Sequence, residues 1–177
     1  SFAVGGAIPN LESIAGAKGF SSGAAVVLAS LIGYSVIFGR LMGGWVIDRW
    51  WAPGVAAVML SLPAIACVVL QQPNLPYPVM AAAIVLLGFA AGVEYDLMAY
   101  LVSRYFGMAN YGQIYGMLYM AFGMSTAVSA TLYGWVRDTM GSYDPMLYAA
   151  AVMFVVGALL LLTLGAYPSF DRQRTES

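Results

Sequence analysis

The chain has 177 residues, 62% hydrophobic and 8% charged, with seven basic residues against eight acidic ones and a net charge of −1. Soluble domains are roughly 45–50% apolar and about 25% charged, so this composition is built for a bilayer as solvent. The charge balance gives no footprint for nucleic acid. The absence of histidine rules out His–metal sites and His-based triads, and the single cysteine, Cys67, provides neither a disulfide framework nor a thiol metal site. No enzyme chemistry, cofactor or metal is expected.

Residues 2–16 are apolar but carry Pro9, Asn10 and Glu12. Spanning takes about 20 apolar residues, so this piece reads as the tail of a helix whose beginning is missing. No basic stretch ahead of an apolar one marks a signal peptide. Proline permits a kink, and transporters hold substrate at broken helices. Asn10 is therefore a candidate substrate contact.

Five fuller segments follow, at 22–47, 53–71, 78–105, 110–136 and 145–167. They are joined by "AKGFSS", "DRWWAP", "QQPNLPYP", "FGMAN" and "DTMGSYDP". Connections this short make each helix antiparallel to the next. The fold class is all-α, a polytopic membrane bundle of six spans over 1–168, the first truncated, with a polar tail over 169–177. Arg40, Arg49, Arg104, Arg172 and Arg174 fall on one side, Lys18 and Arg137 on the other. The positive-inside rule makes the first side cytoplasmic, and the C-terminus with it.

Within 22–47, Arg40 lies roughly 10 Å inside the helix end at about 1.5 Å rise per residue. A charge at that depth faces the bundle interior or water. It either binds an anion through its planar fork or snorkels and braces a gate near the inner surface. Asp48 and Arg49 close the same helix and read as an inner-surface latch.

In 78–105, Glu94 and Asp96 are about 200° apart on a helix, so they form neither a metal site nor an acid–base pair. Asp96 shares a stripe with Tyr100, Ser103 and Arg104, and is expected to join the latch through Arg104 or Arg49. Glu94 points elsewhere, as a proton-coupling carboxylate or the counter-ion of Arg40. In 110–136, Tyr111, Tyr115 and Tyr119 form a stripe that lines a polar path or packs. Tyr119 and Gln113 are candidate substrate contacts. GxxxG spacings at Gly39–Gly43, Gly88–Gly92 and Gly112–Gly116 are expected to pack helices closely.

An internal repeat appears at an offset of 90 residues. "GYSVIFGRLMGGWVID" (33–48) matches "GMSTAVSATLYGWVRD" (123–138) at six positions, including "GWV" and the closing aspartate. With three helices per unit (1–72 and 77–168), the second unit enters the membrane from the opposite side, giving an inverted repeat. The third helices, 53–71 and 145–167, carry no charge and are expected to face lipid.

Gly39-Arg40, Gly44 and Asp48-Arg49 resemble the junction of the eighth and ninth helices of the major facilitator superfamily. "EYDLMAYLVSRYFGMANYGQIYGMLYMAFG" followed by "DTMGSY" resembles its bacterial monocarboxylate and oxalate/formate branch. The resemblance implies the C-terminal six helices of a twelve-helix carrier that rocks between two access states, with the missing N-terminal half and the lipid bilayer as partners. It also implies an inner membrane of a prokaryote, a small anionic substrate, and a substrate carboxylate held by the arginine matching Arg40. Three departures stand out. Trp50-Trp51-Ala52-Pro53 replaces the basic continuation of the loop motif. Val36 stands where animal monocarboxylate carriers place an acid, leaving Glu94 as candidate for proton symport. No lysine occurs in 110–136, unlike oxalate carriers. The competing readings are a carrier of another metabolite or drug with Arg40 bracing the gate, and a non-transporting scaffold or receptor module.

Overall fold

The computed structural model describes residues 2–165 and 167 and is all-helical over them. The helices are α1 (Phe2–Ala7), α2 (Leu11–Ala17), α3 (Ser22–Ile47), α4 (Ala52–Leu70), α5 (Tyr77–Phe106), α6 (Tyr111–Met140) and α7 (Asp144–Leu162). Their ends follow from local chemistry. Prolines occupy the first turn of α4, α5 and α7, where no N–H partner is needed. Helices α5 and α6 stop at Gly107 (φ +71°) and Gly141 (φ +73°), in left-handed backbone that a Cβ disfavours. Helix α6 thus runs to 140 rather than 136, and α7 stops at 162 rather than 167. The tail over 169–177, with Arg172 and Arg174, lies outside the described residues.

The first segment is broken at Pro9 into α1 and α2. Asn10 donates its side-chain amide to the Gly6 carbonyl at 2.9 Å. In an unbroken helix that carbonyl would take the Asn10 backbone N–H, so the side chain satisfies what the break exposes.

Among the described residues four helices, α3, α4, α5 and α7, are long and apolar enough to cross a membrane. Helix α6 has the length, 30 residues or about 45 Å. Its Gly, Ser, Thr and Tyr content leaves it outside the apolar four. A helix of that composition is suited to facing protein or a polar path rather than lipid.

The packing repeats itself when the two halves are exchanged. Helix α3 packs on α5 as α6 packs on α1, α4 packs on α5 as α7 packs on α1, and α4 and α7 pack on each other. The close approaches use glycine. A Cβ on Gly88 would sit 2.7 Å from Ser35 Cβ and one on Gly43 2.8 Å from Val93 Cγ2, while Gly39 and Gly92 meet the carbonyls of Phe89 and Val36. On the other side of the repeat, Gly5 and Gly6 lie against Thr126, Ser129 and Tyr133 of α6. Gly112 and Gly116 differ from expectation: a Cβ on either would meet nothing within 4 Å. Their spacing fits close packing, but they lie on the exposed side of α6. Helix α4, which carries no charge, and α7, whose one charge is Asp144 at its start, bury one face against each other and the core, and expose Val58, Ile65, Val68, Val155, Leu159 and Leu160.

Each end of the bundle is tied. At one end Lys18 Nζ donates to the carbonyls of Gln71 (3.2 Å) and Gln72 (3.1 Å), ending α4, and pairs with Asp144 (3.6 Å), starting α7. Arg137 at the end of α6 donates to Ser13 of α2. Hydrogen bonds to a charged group contribute about 1.5–3 kcal/mol when sheltered. The Lys18 side chain is only 13% exposed but Asp144 is 48% exposed, which places the tie at the low end of that range. Lys18→Ala is therefore expected to lower unfolding stability by about 1–2 kcal/mol, read as a lower melting temperature in detergent. An unchanged melting temperature would show that the tie is dispensable.

Candidate functional site

Arg40 projects from α3 with its side chain 53% exposed, two turns inside the helix end. Its Nε and Nη2 both donate to Asp96 Oδ1 of α5 at 3.4 Å. The ring of Tyr95, beside Asp96, has its centroid 5.8 Å from the guanidinium carbon. Tyr95 also reaches α6, with its ring 4.9 Å from Phe122 and 6.4 Å from Tyr119. Tyr95 thus stands between α3 and α6 and joins the guanidinium to an aromatic wall. That wall continues along α6 as Phe122, Tyr119, Tyr115 and Tyr111, with neighbouring rings 5.5–6.1 Å apart. The arrangement offers an anion a planar donor fork next to π faces.

Arg40 and Tyr119 therefore belong to one site. Asp96 belongs with them, which corrects the expectation that it joins the latch. Its stripe passes Gly88 and Gly92, which lie against α3, so its carboxylate reaches Arg40 rather than Arg49 or Arg104. Gln113 is exposed on α6, in the turn between Tyr111 and Tyr115. Asn10 lies in the α1–α2 break with its amide on Gly6. Glu94 lines two cavities of about 570 and 610 Å³ among α4, α5, α6 and α7, with Leu60, Leu161 and Leu164 common to both.

The end of the bundle that carries Arg49 and Arg104 is tied by aromatic contacts among the described residues. Arg49 lies over Trp45 at 4.2 Å, and Arg104 over Tyr167 at 4.8 Å. Trp51 Nε1 and Tyr105 Oη both donate to the Gly165 carbonyl, at 3.2 and 2.7 Å, and the Ala52 amide donates to Tyr167 Oη at 2.9 Å. The tryptophans that depart from the loop motif serve here as hydrogen-bonding and packing groups. Asp48 lines a cleft of about 480 Å³ with Asp96, Tyr100, Ser103 and Tyr111. The described residues hold no cluster of three or more metal-ligating side chains.

Sequence reading missed Tyr95 and Phe122. For Tyr95 a signal was present: Gly88, Gly92 and Tyr95 stand at i, i+4 and i+7, so the stripe that packs on α3 carries this ring toward it.

The family model of the Major Facilitator Superfamily matches residues 1–176. The chain is 28% identical over 151 residues to Monocarboxylate transporter 14 of Mus musculus, covering 83% of this chain and 29% of that protein. It is 28% identical over 142 residues to Monocarboxylate transporter 10 of Danio rerio, covering 78% and 28%. It is 25% identical over 151 residues to MFS transporter asaE of Aspergillus flavus, covering 83% and 34%. The chain spans about a third or less of the length of these relatives.

Proposed function

The chain belongs to the Major Facilitator Superfamily, and on that premise we propose that it forms part of a secondary carrier moving a small organic anion, a monocarboxylate, across a membrane by rocking alternating access. It is an integral membrane protein and a transporter rather than an enzyme. The finer reading rests on one observation: Arg40, at depth in an apolar helix, opens toward an aromatic wall formed by Tyr95, Tyr119 and Phe122. A guanidinium binds a carboxylate through two parallel bonds, and the rings shield that contact from water. Two relatives named as monocarboxylate transporters support the choice of anion.

Arg40 as a mere gate brace is disfavoured by its partner. Asp96 lies in the same half of the molecule, so their contact ties α3 to α5 and closes nothing between two halves. The pair does favour a second reading, in which a zwitterionic amino acid places its carboxylate on Arg40 and its ammonium on Asp96. The end bearing Arg49 and Arg104 is read as cytoplasmic.

The test is uptake by the full-length protein in liposomes, using labelled lactate, formate, oxalate and alanine against empty vesicles. Saturable lactate or formate uptake supports the first reading, and alanine uptake alone supports the second. No uptake of any carboxylate would remove both.

A further inference from the structure

We propose that the end of the bundle carrying Arg49 and Arg104 is a binding site for the phosphate headgroups of anionic phospholipids, with a lipid phosphate held at each guanidinium.

The first support is how the cations are used. Three of the basic residues described donate to protein groups. Lys18 reaches the carbonyls of Gln71 and Gln72 and pairs with Asp144, Arg40 pairs with Asp96, and Arg137 donates to Ser13 and Tyr143. Arg49 and Arg104 differ. Among the described residues neither has a carboxylate within ion-pair distance, and neither donates a hydrogen bond. Asp48 precedes Arg49 in the chain but opens into the cleft with Asp96, Tyr100 and Tyr111. Rings hold both guanidiniums instead. Arg49 lies 4.2 Å from the centroid of Trp45, and Arg104 lies 4.8 Å from that of Tyr167 and 5.9 Å from that of Tyr100. A ring face attracts a guanidinium through its charge and leaves the planar N–H fork for a second partner. That fork matches a phosphate through two parallel bonds. Both arginines are exposed, so the fork is open to a ligand.

The second support is depth. Trp50 meets Trp45 edge-on, with centroids 6.2 Å apart, and the two rings are 59% and 57% exposed. The next residue, Trp51, shares the Gly165 carbonyl with Tyr105, whose ring lies 5.3 Å from Tyr167. A line of rings thus connects Arg49 to Arg104. Tryptophan and tyrosine collect at the membrane–water interface, level with the lipid headgroups. Helices α3 and α5 end here and α4 begins here, all three long and apolar enough to cross a membrane. The rings therefore seat the two arginines at the depth of lipid phosphates.

The third support is charge. Two guanidiniums against the single carboxylate of Asp48 leave this rim positive. A zwitterionic lipid brings its own cation beside the phosphate, whereas an anionic lipid brings none, and cations just outside a span are drawn to anionic leaflets. The rim therefore selects phosphatidylglycerol over phosphatidylcholine.

The test uses the full-length carrier in neutral detergent, titrated with dioleoylphosphatidylglycerol or dioleoylphosphatidylcholine and read by melting temperature. Phosphatidylglycerol is expected to raise it saturably and further than phosphatidylcholine. Arg49→Gln/Arg104→Gln is expected to raise the half-saturating concentration of phosphatidylglycerol at least about tenfold, the factor carried by a hydrogen bond to a charged group. Arg137→Gln, at the other end of the bundle, is expected to keep the parental value. Equal responses of the parent to the two lipids overturn the proposal, and so does a parental half-saturation in the double variant. An equal loss in Arg137→Gln also overturns it, because the effect would then follow overall charge. Inorganic phosphate is the remaining arm: if it reproduces the rise in the parent, the site takes free phosphate and the lipid assignment fails. If the double variant does not fold, Arg104→Gln decides: weaker binding of phosphatidylglycerol supports the proposal and parental binding overturns it.

Discussion

Arg40→Ala in the full-length carrier is expected to lower saturable carboxylate uptake by about 100-fold, with the melting temperature little changed. Two losses add. The substrate loses the cationic partner that this part of the carrier supplies, and charge-assisted bidentate bonds are roughly twice as strong as neutral ones. Asp96 then remains without the guanidinium that it contacts at 3.4 Å and repels the incoming anion. Losing one partner of a hydrogen-bonded charge pair between a site and its ligand costs about 2–5 kcal/mol of binding. Arg40 and Asp96 are 53% and 33% exposed in this half, which sets the expectation in the lower part of that range, about 3 kcal/mol or slightly over 100-fold. Arg40→Lys keeps the charge but not the planar fork, and should recover only part of the loss. The double variant Arg40→Ala/Asp96→Ala should transport no worse than Arg40→Ala alone, because the residual repulsion is gone. The measurement is initial-rate uptake of labelled lactate across a concentration series. An Arg40→Ala protein with parental KM and rate would sink the carboxylate site. Additive losses in the double variant would show that Asp96 acts independently of Arg40.

Most of the architecture was legible because a membrane leaves few choices. Backbone groups in lipid must be satisfied within helices, so apolar runs ended by Pro and Gly give helices directly, and short connections fix their alternation. The weak "GWV" match between 33–48 and 123–138 suggested an inverted repeat, and the same helix pairs pack when the two three-helix units are exchanged. What the sequence left open is which neighbour each stripe meets. Gly112–Gly116 has the same spacing as Gly39–Gly43, yet one pair is bare and the other packs tightly, because spacing fixes a face and not its partner. Asp96 illustrates the same limit. Its own stripe pointed to Arg104 at i+8, but a side chain on the face that carries Gly88 and Gly92 is drawn to whatever α3 presents, and α3 presents Arg40. The contacts at the end carrying Arg49 and Arg104 were not legible for a different reason. Arginine over an aromatic ring leaves no complementary charge in the sequence to find, and Trp51 and Tyr105 meet at a backbone carbonyl, Gly165, that has no side-chain signature.

Gly92→Leu is expected to have the largest effect on stability, about 3 kcal/mol or more, because the contact it breaks lies between two backbones. A Cβ on Gly92 runs into the Val36 carbonyl and lies 3.0 Å from the Arg40 amide nitrogen. A flexible side chain can turn away from an intruding methyl; a helix backbone moves only by displacing the whole of α3 from α5. Overpacking a core typically costs about 1–3 kcal/mol even where side chains absorb it, so rigid neighbours place this substitution at or above that range. The separation also disturbs function, since Arg40 and Asp96 are carried by the two helices being pushed apart. At roughly 2–4 °C per kcal/mol for a domain of this size, the melting temperature should fall by roughly 6–12 °C, and uptake should fall even where folded protein is recovered. Gly116→Leu is the matched comparison: the residue change and GxxxG spacing are the same, but no atom lies within 4 Å. Its cost within this half should stay within about 0.5 kcal/mol, as for an open surface site, so in the isolated chain the two substitutions should separate cleanly by melting temperature. Equal shifts for both would mean that the α3–α5 contact does not set the stability of the bundle. A large shift for Gly116→Leu that appears only in the full-length protein would identify the bare face of α6 as the surface that a further part of the carrier packs against.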